Sequence, residues 1–174
     1  MSSTPELHYI AYEQFLANAR AVAQKIAGDG WQPDFVIGIG RGGLVPAVYI
    51  SHQLNLPMLS IDHSSKVPGF ADELLGKVAE KSADGTKLLF VDDINDSGGT
   101  IDYIRRLLAD DGGAAENLRF AVVLSNTRSK VAVDYWAETI DREIDKRWFV
   151  FPWEAVGKSD TIVEEALSVP ERLA

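Results

Sequence analysis

The chain has 174 residues, 46% of them apolar and 25% charged, which is enough for one well-buried domain and short for two. A net charge of −9 without any basic stripe excludes a nucleic-acid binder, so an anionic ligand must be held locally by backbone amides, a few cations or a metal ion. No apolar run reaches membrane-spanning length, the first residues lack the basic and apolar parts of a signal peptide, and the absence of cysteine rules out disulfides and thiolate metal sites and fits a cytoplasmic protein.

In chain order, Phe15, Leu16, Ala19, Val22, Ala23 and Ile26 recur at helical spacing, which predicts a helix over 13–27 ended by Gly28-Asp29-Gly30. Phe35-Val36-Ile37 reads as a strand, and Gly38-Ile39-Gly40-Arg41-Gly42-Gly43 as a glycine-rich loop after it. Leu44 to Leu54 reads as a helix that tolerates Pro46 in its first turn. Met58 to Ile61 is a second strand. Residues 63–86 mix Ser, Lys, Pro, Gly and acids around an ambiguous piece, Ala71 to Val78, and read as a functional loop or lid. Leu88 to Val91 is the third strand, Ile101 to Leu108 the helix after it, and Phe120 to Leu124 a fourth strand. The tail over 155–174 reads as a surface helix capped by Thr161 and Glu164. Strand–loop–helix repetition with apolar strands predicts a single α/β domain: a doubly wound, mainly parallel sheet with flanking helices. Ligands of such sheets bind at the carboxyl ends of the strands, where the loops 38–43 and 92–100 both fall. The three histidines, His8, His52 and His63, are scattered without metal-ligand spacing.

The first loop, taken alone, satisfies G-x-G-x-x-G through Gly38, Gly40 and Gly43, with Asp62 at the end of the next strand, so a nicotinamide-dependent oxidoreductase is one reading. It leaves the second cluster without a role. A phosphate-binding P-loop is excluded, because the Gly-Lys-Ser/Thr ending is missing. The second loop follows Leu88-Leu89-Phe90-Val91 with Asp92-Asp93-Ile94-Asn95-Asp96-Ser97-Gly98-Gly99-Thr100. Ser97 to Thr100 bring consecutive backbone N–H groups to a helix start, a site for one phosphate. Two adjacent acids beside that phosphate need something cationic or hydroxylic between them, which Mg²⁺ and ribose hydroxyls supply.

The apolar strand, the paired acids and the Asp-Ser-Gly-Gly-Thr turn resemble the phosphoribosyl-diphosphate-binding motif of the type I phosphoribosyltransferases. "GIGRGGLVPA" is similar to that family's diphosphate loop, and "RWFVFPWE" to the base-binding end of xanthine–guanine and archaeal purine transferases. The resemblance spans about residues 8–154. It implies transfer of phosphoribosyl from phosphoribosyl diphosphate to a purine in nucleotide salvage, with Mg²⁺ as cofactor and a homodimer or homotetramer as the assembly. Asp92 and Asp93 would hold the ribose hydroxyls directly and through Mg²⁺, and Asp96, Ser97, Gly98, Gly99 and Thr100 would cradle the 5′-phosphate. The Asp96 side chain would take a proton beside the purine N7. Arg41, with Gly40, Gly42 and Gly43, would meet the diphosphate, at a loop where the family has a cis peptide, here near Gly40–Arg41. Trp148 would stack on the base and Phe149 backbone groups would read its edge, while Trp136 and Trp153 would be packing residues.

One position departs from the pattern. Family members acting on 6-oxopurines carry a lysine that donates to the purine O6, and here Asn126 stands in its place, with Arg128 and Lys130 as the neighbouring cations. That departure leaves open a second reading, a non-catalytic sensor that binds phosphoribosyl diphosphate or a nucleotide.

Overall fold

The computed structural model describes residues 4–62 and 70–169. The chain opens with β1 (Leu7–Tyr9), which pairs in parallel with the late strand β7 (Trp148–Val150) in a sheet of two. The main sheet holds β2 (Phe35–Ile39), β3 (Met58–Ile61), β4 (Leu88–Asn95), β5 (Leu118–Asn126) and β6 (Tyr135–Ile140) in the order β3-β2-β4-β5-β6. Every pairing in it is parallel. This is the doubly wound arrangement that the alternation of apolar strands and amphipathic segments requires.

The pleat explains how two cores grow on one sheet. Side chains alternate faces along a strand. Val36, Leu89, Val91 and Ala121 therefore meet Val22, Ala23 and Ile26 of α1 (Tyr12–Gly28) and Ala47 and Ile50 of α2 (Gly40–Leu54). Ile37, Leu88, Phe90, Phe120 and Val122 meet the opposite layer, made by Leu75, Val78 and Ala79 of α3 (Phe70–Ala83) and Ile101, Ile104 and Leu108 of α4 (Gly99–Asp110). Phe90 and Phe120 are opposite each other in register, fully buried and stacked with centroids 5.0 Å apart. Burial of each such ring stabilises the fold by about 1.5–3 kcal/mol. A third core joins Phe15 and Ala19 of α1 to Val123, Leu124 and Phe151, and so ties the C-terminal segment to the sheet.

Four expectations change. Residues 70–83 of the expected lid are helix α3, because Leu75, Val78 and Ala79 lie one helical turn apart and bury against the sheet; residues 63–69 lie outside the described residues. Helix α2 begins at Gly40 rather than Leu44, so the expected loop Gly40–Gly43 is its first turn. No cis peptide is present among the described residues, including the expected Gly40–Arg41 bond. The C-terminal helix, α5 (Ser159–Leu167), starts two residues before the expected Thr161 cap, has no side-chain cap, and buries Ile162 and Ala166 instead of lying free on the surface. The strands β1, β6 and β7 are additions to the expected set. No helix among the described residues is long and apolar enough to cross a membrane.

Candidate active site

The chain leaves β2 toward one edge of the sheet and reaches β4 and β5 toward the other, so the switch point of the topology lies between β2 and β4. A cavity of about 470 Å³ opens there. Its walls include Ile39, Gly40, Arg41 and Gly42 after β2, Asp92, Asp93 and Ile94 at the end of β4, and Thr100 of α4. One close approach brings the two loops together. A Cβ at Gly43 would lie 2.1 Å from the Val91 carbonyl oxygen and 3.0 Å from the Asp92 Cα, so only a residue without a side chain lets α2 start against β4. Gly43 thereby sets the spacing between the Arg41 turn and the acidic pair.

The acids are fixed by local hydrogen bonds. Asp92 Oδ1 accepts the Asp93 N–H at 3.0 Å, and Asp93 Oδ1 accepts the Ile94 N–H at 2.7 Å. The Asp93 carboxylate also lies against Gly42, where an added Cβ would meet its Oδ2 at 2.4 Å. The next turn places Ser97, Gly98, Gly99 and Thr100 at the start of α4. Gly98 caps that helix at φ 87°, in the left-handed region open to glycine. Ser97 Oγ accepts the Gly99 N–H at 3.3 Å. The first N–H groups of α4 point out of its N-terminus, as at any helix start, with the positive end of the dipole behind them.

The base side departs from expectation in an informative way. Trp148 and Phe149 line the cavity, as expected for a stacking wall. Asp96 and Asn126 are not among the lining residues. Asp96 is 4% exposed, and both its oxygens are taken by Arg142: Nε lies 3.0 and 3.1 Å from them, and Nη2 is 2.8 Å from Oδ2. Asn126, 8% exposed, donates its amide to the Asp96 carbonyl oxygen at 3.0 Å, and its own oxygen accepts the backbone N–H groups of Arg128 and Arg142. Both ends of Asn126 are thus hydrogen-bonded within the protein. Arg128, a sequence candidate for the missing lysine, pairs with Asp141 and Glu143 on the surface. Arg142 is the residue that sequence reasoning missed: it lines the cavity, it is 9% exposed, and its guanidinium sits 5.1 Å from the Phe149 ring centroid.

The outer wall comes from the C-terminal segment. Trp153 stacks on Phe151 at 4.8 Å and meets Phe15 edge-on at 5.0 Å, so it packs as expected, yet it also lines the cavity. Its Nε1 is buried with no hydrogen-bond partner among the described residues. Trp136 lies elsewhere, on β6, with Lys25 over its ring. Glu154 accepts the Phe151 N–H at 2.9 Å. Burial pushes its carboxyl up to about 7, with the Phe151 hydrogen bond opposing, the charges of Asp93 and Glu165 adding, and Arg41 opposing. Thr161, Ile162 and Glu165 of α5 complete the wall, and Glu165 reaches Arg41 at 3.9 Å.

A parallel sheet thus carries an acid pair and a helix N-terminus on one side of its switch point and a glycine–arginine turn on the other. The phosphoribosyl transferase domain family matches residues 8–156, and the chain belongs to that family. It is 28% identical over 157 residues to a xanthine-guanine phosphoribosyltransferase of Cereibacter sphaeroides, covering 84% of this chain and 86% of that protein. Among solved structures, a purine phosphoribosyltransferase from Pyrococcus horikoshii is 26% identical with a TM-score of 0.64, covering 84% of this chain and 93% of the other. A xanthine-guanine-hypoxanthine phosphoribosyltransferase of Helicobacter pylori, 21% identical, shares the fold with a TM-score of 0.65 over 87% of this chain and 95% of its own. Membership of this family takes Gly38, Gly40 and Gly43 out of the dinucleotide reading.

Proposed function

We propose that the chain transfers the 5-phosphoribosyl group from phosphoribosyl diphosphate to a purine base, giving a nucleoside monophosphate and diphosphate, a salvage reaction. The observation that carries this reading is the convergence on one cavity of the Arg41 turn, the Asp92–Asp93 pair, the start of α4 and the Trp148–Phe149 wall. The named relatives, purine transferases by their names, support the choice of base.

In this reading the ring nitrogen of the base forms a C–N bond to the ribose C1 as the C–O bond to diphosphate breaks; diphosphate leaves with the electron pair, and the proton displaced from the base passes to it or to water. Such a transition state puts positive charge on the sugar and negative charge on the leaving group, so binding and electrostatics supply most of the catalysis. Ser97 to Thr100 hold the 5′-phosphate on the N–H groups of α4. Asp92 and Asp93 accept the ribose hydroxyls. Arg41 meets the diphosphate, and Trp148 presents a flat apolar face to the base while Phe149 lies beside its edge. The buried Trp153 N–H, without a partner among the described residues, favours a ligand that places an acceptor oxygen there.

A divalent cation fits this donor set. Asp92, Asp93, Glu154 and Glu165 give the cavity hard oxygen donors, while among the described residues no three ligating side chains converge on one point. Mg²⁺ is typically bound in that way, by one or two carboxylates plus substrate phosphates. When bound with the donor, Mg²⁺ would neutralise the charge that develops on the diphosphate.

Calorimetry tests the reading. Phosphoribosyl diphosphate should bind with Mg²⁺ and weakly without it, NAD should not bind, and a purine added to the donor complex should release diphosphate. Binding of NAD without binding of phosphoribosyl diphosphate would overturn it.

A further inference from the structure

Arg142 lines the cavity and carries one N–H that no partner among the described residues takes. A guanidinium carries five N–H groups. Its Nε–H goes to the Asp96 carboxylate, and one Nη2–H goes to Asp96 Oδ2 at 2.8 Å. Both Nη1–H groups go to backbone, at 3.3 Å to the Asp145 carbonyl and 2.6 Å to the Arg147 carbonyl. One N–H remains, on Nη2, in a side chain that is nearly buried and lines the cavity beside Phe149. A buried charged donor left unpaired is costly, so this geometry calls for an acceptor from the ligand.

The position of the group is over-determined. Asn126 holds the Arg142 backbone through its side-chain oxygen at 3.2 Å and the Asp96 backbone through its amide at 3.0 Å. Asp96, Asn126 and the carbonyls of the 141–147 loop together hold the guanidinium plane in one orientation. The ligand atom must be an acceptor at the edge of a ring stacked near Phe149 and Trp148. An exocyclic carbonyl oxygen satisfies this, whereas an exocyclic amino group would set donor against donor.

Resting on the purine-transfer reading, we propose that Arg142 recognises the exocyclic oxygen of a 6-oxopurine and that Asp96 is the positioning residue that aims it. Asp96 then acts through the guanidinium and takes no proton from the base. The enzyme uses oxopurines and rejects adenine, and the selectivity resides in the loop between β6 and β7, in place of the Asn126 position.

The test measures kcat/KM for hypoxanthine, guanine, xanthine and adenine at saturating phosphoribosyl diphosphate, with donor affinity and melting temperature on the same preparations. Wild-type protein should turn over at least one oxopurine and discriminate against adenine. Arg142→Gln should lower oxopurine kcat/KM by about 10- to 100-fold, the range for one charged hydrogen bond, mainly through KM, with donor affinity unchanged. Asp96→Asn should shift the same KM in the same direction and leave the shape of the kcat–pH profile as in wild type. If Arg142→Gln fails to fold, the double variant Asp96→Asn with Arg142→Gln, which leaves no buried charge unpaired, carries the same measurement. Equal use of adenine and oxopurines by the wild type, or a loss of kcat at unchanged KM with an altered pH profile in Asp96→Asn, would overturn the inference and leave phosphoribosyl transfer standing. Absence of donor binding in the wild type would overturn both.

Discussion

Gly43→Ala asks whether the contact between α2 and β4 builds the site. The added methyl carbon would sit 2.1 Å from the Val91 carbonyl oxygen and 3.0 Å from the Asp92 Cα, against the 3.4 Å at which ordinary contact begins. These neighbours are backbone atoms of a central strand whose flanking partners are both paired in register, so they cannot rotate away as a side chain would. Relief must come from a shift of about 1 Å between α2 and β4. Overpacking of this kind costs about 1–3 kcal/mol, and rigid neighbours put this case at the upper end. For a domain of this length about 3 kcal/mol lowers Tm by about 6–12 °C. The shift also moves Arg41 relative to Asp92 and Asp93, and a displacement of about 1 Å in such a site lowers turnover by about a hundredfold. Gly28→Ala is the control: nothing lies within 4 Å of its added methyl, and the residue ends α1. It should leave turnover alone and change stability by less than about 1 kcal/mol. Thermal melts and diphosphate release on the two variants give the comparison. A Gly43→Ala protein that melts within a degree of wild type and turns over normally would show that the approach of α2 to β4 does not set the site.

Asp92→Asn and Asp93→Asn should each weaken Mg²⁺-dependent binding of phosphoribosyl diphosphate by calorimetry, and the weak Mg²⁺-free binding should change little. Glu154 has a folded pKa of about 7 against an ordinary 4.5, so the folded state binds its proton more tightly than the unfolded chain. Its contribution is therefore most favourable below about pH 4.5, is lost as pH rises to about 7, and stays lost above that. The Tm difference between Glu154→Gln and wild type should widen in favour of the variant from pH 5 to pH 8; a constant difference would mean that the carboxyl is not held near neutrality.

The central strands were legible because their physics is local. Val36-Ile37 and Leu88 to Val91 are buried on both faces and so read as unbroken apolar runs, each followed by the turn chemistry of a ligand loop. Helix α3 was ambiguous because, among its described side chains, the apolar Leu75, Val78 and Ala79 that mark its buried face stand amid glycine, lysines and acids. Strand β6, an edge strand, buries Tyr135 fully and exposes Trp136, Glu138 and Thr139, so half its pattern is solvent chemistry. Strands β1 and β7 are three residues each and pair across the whole length of the chain, which no local signal encodes. The acidic wall of the cavity was legible for the same reason as the strands, since Asp92 to Thr100 are contiguous. Arg142 was not. Asp141-Arg142-Glu143-Ile144-Asp145-Lys146-Arg147 reads as a solvated charge run, and which cation turns inward is decided by Asp96 and Asn126, 46 and 16 residues away.

The balance of charge in the cavity bears on how a protein of net charge −9 can hold a polyanionic donor. Of the two lining arginines, Arg142 is already neutralised by Asp96, and Arg41 shares its exposed charge with Glu165 at 3.9 Å. Asp92, Asp93 and Glu165 line the same space, with Glu154, whose carboxyl burial pushes up to about 7, beside them. Phosphate placed directly among them would meet like charge at reduced dielectric, which disfavours binding. In the proposed reading two features would reverse the sign locally: the N–H groups at the start of α4 would serve the 5′-phosphate, and a divalent cation with the ribose hydroxyls would separate Asp92 and Asp93 from the diphosphate. Donor affinity should then follow divalent-ion activity more steeply than ionic strength, because the attraction would be short-range and shared through one ion. A cavity lined by lysines would behave in the opposite way, binding the donor without metal and losing it to salt.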